Sequence, residues 1–236
     1  MQFNVRDVAT IFNVPESTVY RWINEDNLPT VEMNGQCRFD RTELLEWATV
    51  RRLKFSPALF QGTPIGATAR LDLAEALEAG KIVYHLHGKT REEALAAVVE
   101  HLPVPQHYDR NFLLQLFLAR ETSGSTAVGD GIAIPHPRHP VVLPIGKAML
   151  NLCFLEHPVD FGAADRQPVH TLFVLISPTI RVHLQMLARI SFLLRDASFR
   201  EVLKRRDPPE EVLEGVRRVE ATFVEPGAPG RRSEPA

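Results

Sequence analysis

Two histidines in this 236-residue chain sit where their surroundings give them a chemical task. His136 follows the apolar run Ile132-Ala133-Ile134 and is held between Pro135 and Pro137. Proline rings on both sides restrict the backbone, so the imidazole is presented in one direction. An imidazole titrates near neutral pH and can attack phosphorus as a nucleophile. Residues 120–139 (RETSGSTAVGDGIAIPHPRH) also carry Gly124, Gly129 and Gly131. Glycines so placed serve either a tight hairpin or a loop whose N–H groups face an anion, and the sequence leaves both open. His183 lies in a second segment, SPTIRVHLQML, within the first turn of an expected helix. The positive end of a helix favours an anion there, and with it the neutral form of the imidazole.

The remaining candidates carry less. His85 and His87 alternate along a strand-like stretch and would share a face, but no third metal ligand accompanies them, so they read as solvent-facing. His139 is hemmed by prolines, and His101, His107, His157 and His170 have no distinguishing context. Cys37 and Cys153 match no metal-ligand spacing and read as reduced thiols of a cytoplasmic protein. No metal and no cofactor is expected.

Periodicity and punctuation give the elements that must position these residues. In residues 1–50, Asn4 is expected to cap a helix over 5–12, and Asn13-Val14-Pro15 breaks it. A second helix covers 16–24, and a hairpin turned at Asn34-Gly35 joins 30–33 to 37–39. Asp40 caps a third helix, with Glu43 as its reciprocal partner and Leu44, Leu45 and Trp47 buried. Residues 51–68 begin basic and then turn to Pro, Gly and Thr, a linker in which Phe55, Leu59 and Phe60 could dock. Residues 69–223 alternate helices and strands. Helices are expected at 71–79 (ending at Gly80 as a left-handed cap), 91–101 behind the capping pair Thr90 and Glu93, 110–121, 182–195, 198–204 and 209–216. Phe112, Leu113, Leu116 and Phe117 form one face of the third of these. Strands are expected at 82–86, 132–134, 147–155 and 169–176, which indicates an α/β layered domain. The tail 224–236 is too polar and Pro/Gly-rich to bury apolar area and is expected to be disordered.

Taken together, the two histidine segments resemble the type-2 enzyme IIA domains of the bacterial phosphotransferase system, in its fructose/mannitol and nitrogen-regulatory branches. The resemblance rests on Glu121 through Val128-Gly129 to Ile132-Ala133-Ile134-Pro135-His136, and extends to AGKIVYHLHGKTREEAL, HPVDFGAADRQPVHTLFVLISP and VHLQMLARIS. It implies a mixed sheet flanked by helices. It further implies that His136 accepts a phosphoryl group from an HPr-type carrier, that His183 is the second active-site histidine, and that Arg120 lies beside the phosphohistidine. A guanidinium fork suits a phosphoryl dianion there. By the same resemblance Ser125 and Thr126 bind phosphate. Pro137 departs from the family, which usually has Gly, Ala or Cys there, and it removes one backbone N–H beside the nucleophile.

The first 50 residues resemble the helix-turn-helix modules of excisionase and MerR-type proteins, through VPESTVYRWI, the Leu-Pro step, the wing and LLEW. That resemblance places Ser17, Thr18, Tyr20 and Arg21 on the recognition helix and Arg38 on the wing, as DNA contacts. Yet this unit holds four arginines against eight acidic residues. So few cations argue for weak, salt-sensitive DNA binding, and docking or dimerisation competes as its role.

The whole chain has a formal charge of −2 and 44% hydrophobic residues, which excludes a disordered or disulfide-built protein and gives no global basic field. Its apolar runs fall far short of the roughly 20 residues of a membrane span, and its start lacks the apolar core of a signal peptide. The expected function is a cytoplasmic phosphocarrier and regulator coupled to a DNA-binding module. Alternatives are an enzyme IIA passing phosphate to a separate enzyme IIB, or a transcriptional regulator whose enzyme IIA-like domain no longer transfers phosphate. Candidate partners are an HPr-type carrier, DNA, enzyme IIB or a regulated target, and a second copy of the chain.

Overall fold

The computed structural model describes residues 2–223 except 34, 52, 55, 57–70, 106 and 139–146. Most of the expected linker with Phe55, Leu59 and Phe60, the tail from residue 224, Asn34 of the hairpin turn, and His139 lie outside the described residues.

The amino-terminal unit runs β1 (Gln2–Phe3), α1 (Val5–Phe12), α2 (Glu16–Glu25), β2 (Val31–Met33), β3 (Gln36–Asp40) and α3 (Arg41–Val50). Asn4 and Asp7 exchange side-chain bonds at the start of α1, and Asn13, at φ 52, ends it in the left-handed region. Strand β3 pairs antiparallel with both β1 and β2. Asp40 caps α3 by accepting from the N–H groups of Thr42 and Glu43. Glu43 does not return the bond as expected, and its carboxylate accepts from Arg138, outside the unit. Val8, Ile11, Phe12, Val19, Phe39, Leu44 and Leu45 fill a small core, closed by the Trp22 and Trp47 rings with centroids 5.1 Å apart. Helix α3 has no polar stripe: Arg41, Leu44, Leu45, Glu46, Trp47, Ala48 and Thr49 are all buried. A helix covered all round needs cover from outside its own unit.

The larger unit runs α4 (Leu73–Ala79), β4 (Ile82–Leu86), α5 (Arg91–His101), α6 (Arg110–Thr122), β5 (Ala127–Gly129), β6 (Ile132–Ala133), β7 (Met149–Val159), β8 (Val169–Ile176), α7 (Ile180–Leu193), α8 (Ala197–Arg205) and α9 (Pro209–Glu220). Its five strands form one mixed sheet in the order β4-β7-β8-β6-β5. Strands β4 and β7 are parallel, as are β6 and β8, while β7/β8 and β5/β6 are antiparallel. Alternation decides which face each side chain takes. Leu150, Leu152, Phe154, Phe173 and Leu175 join α4, α7, α8 and α9 on one face. Met149, Cys153, Leu155, Leu172, Val174 and Ile176 meet α5 and α6 on the other. Strands buried on both faces explain the near-continuous apolar runs Leu152–Leu155 of β7 and Leu172–Ile176 of β8.

Four local expectations change. Gly80 is not a left-handed cap, since its φ is −88, and glycine is needed there because a Cβ would lie 2.1 Å from the Leu150 carbonyl oxygen. Phe112 is 57% exposed, so the buried face of α6 is Leu113 and Phe117, continuing into Arg120 and Glu121. His85 has φ 56, where the ladder between β4 and β7 shifts register, so it does not alternate regularly with His87. His87 instead pairs with Glu156 at 2.6 Å. In the capping pair of α5, Thr90 accepts from Glu93 as expected, but Glu93 accepts from Lys89.

Candidate functional site

The site begins with the hairpin between β5 and β6. Asp130 and Gly131 both have positive φ, 51 and 69, which is the two-residue turn that Asp-Gly favours. Gly129 and Gly131 therefore make a hairpin, the plainer of the two readings their spacing allowed. Strand β6 runs parallel to β8, and the Pro135 carbonyl accepts from the N–H of Leu175. His136 emerges directly beyond that bond, buried.

The Nδ1 of His136 lies 2.7 Å from the Ile134 carbonyl oxygen. A carbonyl only accepts, so Nδ1 carries a proton, and whenever the ring is neutral its lone pair lies at Nε2. Arg120, in the last turn of α6, is held by the Gly124 carbonyl at 2.9 Å and directs Nε–H to His136 Nε2 at 3.2 Å. His183 enters from α7, where its N–H bonds the carbonyl of the capping residue Thr179. The two imidazole centroids are 5.0 Å apart. Burial lowers the His183 pKa below the usual histidine value, against the pull of a neighbouring carboxylate. The structure thus brings His136, His183 and Arg120 together, the three residues that the resemblance groups.

Ser125 and Thr126 stand differently. The Ser125 hydroxyl donates to the Phe161 carbonyl at 2.6 Å, and the Thr126 hydroxyl donates to Glu121 at 2.7 Å. Both protons are committed, so neither hydroxyl donates to His136 in this arrangement. Glu121 also accepts from the Thr126 N–H at 3.0 Å and so fixes the loop entering β5.

The residue that sequence reasoning missed is Glu46, on α3 of the amino-terminal unit. Its Oε2 lies 2.9 Å from an Arg120 guanidinium nitrogen, and its Oε1 lies 3.2 Å from His136 Nε2 and 3.7 Å from His183 Nε2. Burial alone would raise its pKa, but contacts with His136, His183 and Arg120 reverse this and hold the carboxyl far below its ordinary range. The only signal in the sequence was an acid between Leu45 and Trp47, both apolar and buried. Glu46, His136 and His183 each offer a ligand atom, all within 4.8 Å of one another. Arg120 already supplies positive charge at that point, so a divalent cation would sit against a guanidinium. The donors suit an anion better.

The residues proposed for DNA stand on α2 and β3. Ser17, Tyr20 and Arg21 are exposed on α2, and Thr18 and Arg38 are half-buried. Arg38 donates to Gln36 at 2.8 Å on the wing.

Comparison with known proteins gives the families of the two units. Residues 75–218 match the family described as phosphoenolpyruvate-dependent sugar phosphotransferase system, EIIA 2, and residues 3–52 match a helix-turn-helix domain family. The nitrogen regulatory protein of Pseudomonas aeruginosa is 35% identical over 147 residues, covering 60% of this chain and 91% of that protein. The nitrogen regulatory protein of Escherichia coli K12 is 30% identical over 139 residues, 58% and 84% respectively. Among solved structures, the nitrogen regulatory protein IIA-Ntr of Neisseria meningitidis superposes with a TM-score of 0.54 at 27% identity, covering 61% of this chain and 98% of that one. Among the described residues no helix is long and apolar enough to cross a membrane.

Proposed function

The chain belongs to the EIIA 2 family of the phosphoenolpyruvate-dependent sugar phosphotransferase system, and from that premise we propose that it is a cytoplasmic phosphocarrier of the nitrogen-regulatory kind. In this reading His136 accepts a phosphoryl group from an HPr-type phosphohistidine protein. The observation that carries it is the orientation of His136: Nδ1 is bound to the Ile134 carbonyl, and Nε2 is turned to Arg120 beside His183.

The step follows from those contacts. The carrier's phosphorus comes in line with Nε2; the carrier's N–P bond breaks as the Nε2–P bond forms, and the carrier imidazole leaves with the electron pair. Charge on the transferring group's oxygens is met by the Arg120 guanidinium, which is held in advance by Gly124. The Ile134 carbonyl keeps its hydrogen bond to Nδ1–H and stabilises the positive charge that the ring gains. Pro137 offers no N–H, so the phosphoryl group relies on side chains and the far backbone. The helix-turn-helix unit supplies the regulated output, with Ser17, Thr18, Tyr20, Arg21 and Arg38 as its DNA contacts. The nitrogen-regulatory names of the relatives favour this over a dedicated sugar-uptake role ending on an enzyme IIB.

Incubation with phosphoenolpyruvate, enzyme I and an HPr-type carrier tests the proposal. Wild type should gain an acid-labile phosphoryl adduct, and His136→Ala should gain none. A wild type that stays unmodified while the carrier is demonstrably charged overturns it. DNA binding is read separately, by titrating salt against affinity for the chain's own upstream region.

A further inference from the structure

We infer that Glu46 stands in for the phosphoryl group, and that the face around His136 is an interaction surface with two mutually exclusive occupants: helix α3 of the chain's own helix-turn-helix unit, and the phosphocarrier. The inference rests on the phosphocarrier reading of His136 and deepens it into a mechanism of regulation.

Four observations carry it. First, the place where Arg120, His136 and His183 converge suits an anion, and an anion occupies it, delivered by the other unit. Second, α3 reaches the site as part of a packed surface, since Glu46, Thr49 and Val50 line one small cavity together with Arg120, Val128, Ile134, His136 and Leu187. Third, the rim carries a second ion pair across the same boundary, Glu43 with Arg138 at 3.1 Å. Arg138 is two residues beyond the nucleophile.

The fourth observation concerns fit. Glu46 Oε1 and His183 Nε2 are buried, 3.7 Å apart, and without a hydrogen-bond partner. A carboxylate has two oxygens and one charge, where a phosphoryl group has three oxygens and close to two charges. One Glu46 oxygen answers Arg120, and the other is left between two imidazoles without completing a bond to either. Buried polar atoms left in this state weaken the arrangement that contains them. The stand-in is therefore good enough to hold the site and poor enough to be displaced.

Displacement follows from geometry and charge. A phosphoryl group bonded to His136 Nε2 must put its oxygens where Glu46 Oε1 now lies, 3.2 Å from that nitrogen. Two anions cannot share the position, so phosphorylation expels α3. Linkage makes the coupling reciprocal in its binding equilibria, so docked α3 opposes carrier docking as much as the bound carrier opposes α3. The net acidity of the amino-terminal unit, which counts against DNA binding, suits this intramolecular role.

The test uses the full chain as wild type, Glu46→Gln and Glu46→Ala. Initial rates of phosphoryl uptake from a limiting, charged HPr-type carrier are measured, with thermal melts to establish folding. Both variants should accept phosphate faster, Glu46→Ala by about tenfold, the scale of one charge-assisted hydrogen bond. Hydrogen exchange of wild type alone gives an independent reading. Amides of residues 41–50 should exchange faster once His136 is phosphorylated. Equal uptake rates in folded variants, or unchanged protection of residues 41–50 in the phosphorylated wild type, overturn the inference and leave the phosphocarrier reading standing. Absence of any His136-dependent adduct in all three proteins, with the carrier charged, overturns the phosphocarrier reading and the inference with it.

Discussion

Glu46 holds its Oε1 3.2 Å from the Nε2 of His136, so a carboxylate from the helix-turn-helix unit faces the nitrogen assigned as nucleophile in the other unit. Arg120 closes the triangle by bonding both residues. That triangle, more than either histidine alone, sets the behaviour to be measured.

Replacing Arg120 with lysine keeps the charge and loses the fork. One ammonium cannot reach the Gly124 carbonyl, His136 and the group beside it in the geometry of a guanidinium. Phosphoryl uptake by Arg120→Lys should fall by about 10²–10³-fold, the scale of one lost preorganised donor. Single-turnover rates against a charged carrier measure it. A near wild-type rate would remove Arg120 from the step.

Burial lowers the His183 pKa, and the sign of the pH effect follows. Between the folded value and the ordinary value of 6.5, the unfolded chain binds the proton and the folded chain does not. This stability is therefore fully present above 6.5 and declines as pH falls below it. His170 is also lowered by burial and pulls the same way, so wild type should be compared with His183→Gln. Glu46, held far below its ordinary range, stays charged across this window. Thermal melts from neutral to mildly acidic pH should show a steeper decline for wild type than for the variant. NMR should place the His183 midpoint below 6.5 in the free chain and higher after phosphorylation, when a dianion faces it.

Glu121 fixes the loop through two bonds to Thr126. In Glu121→Gln one carboxylate oxygen becomes an amide nitrogen that cannot accept, and a buried Thr126 donor loses its partner. Urea unfolding should show a loss of about 1–3 kcal/mol. A change much smaller than that would mean that the loop is held by something other than Glu121.

Gly80 meets the Leu150 backbone, which has no rotamer to yield. Gly80→Ala should destabilise by about 1–3 kcal/mol through displacement of α4 from β7. If unfolding by denaturant shows the variant as stable as wild type, the close approach is wrong.

Much of the fold was legible because it is written in local physics. The Asn4, Asp40, Thr90 and Asp109 caps begin their helices where the side-chain bonds require. The apolar runs of β7 and β8 announced strands, and the structure buries them on both faces. What failed locally had tertiary causes. Periodicity groups Phe112 with Leu113, Leu116 and Phe117 but cannot tell which half of that α6 face is covered, and Phe112 is exposed. A glycine after a helix commonly serves as a left-handed cap, while the constraint on Gly80 comes from Leu150, on a strand distant in sequence.

The site divides in the same way. His136 and His183 were legible because flanking prolines and helix position mark them before the chain folds, whereas Arg120 was legible only through the family resemblance of its segment. Glu46 was not, because nothing near it in sequence marks it. An acid on an otherwise buried helix has no local reason to be there, and its reason lies across the boundary between units, in charges that folding places within 4 Å. The sequence by itself determined two units, most of their elements and the two histidines that meet in the site. Tertiary structure decided that the units are not independent. Burying a carboxylate requires cationic and polar partners, and Glu46 finds them in the set assembled around His136.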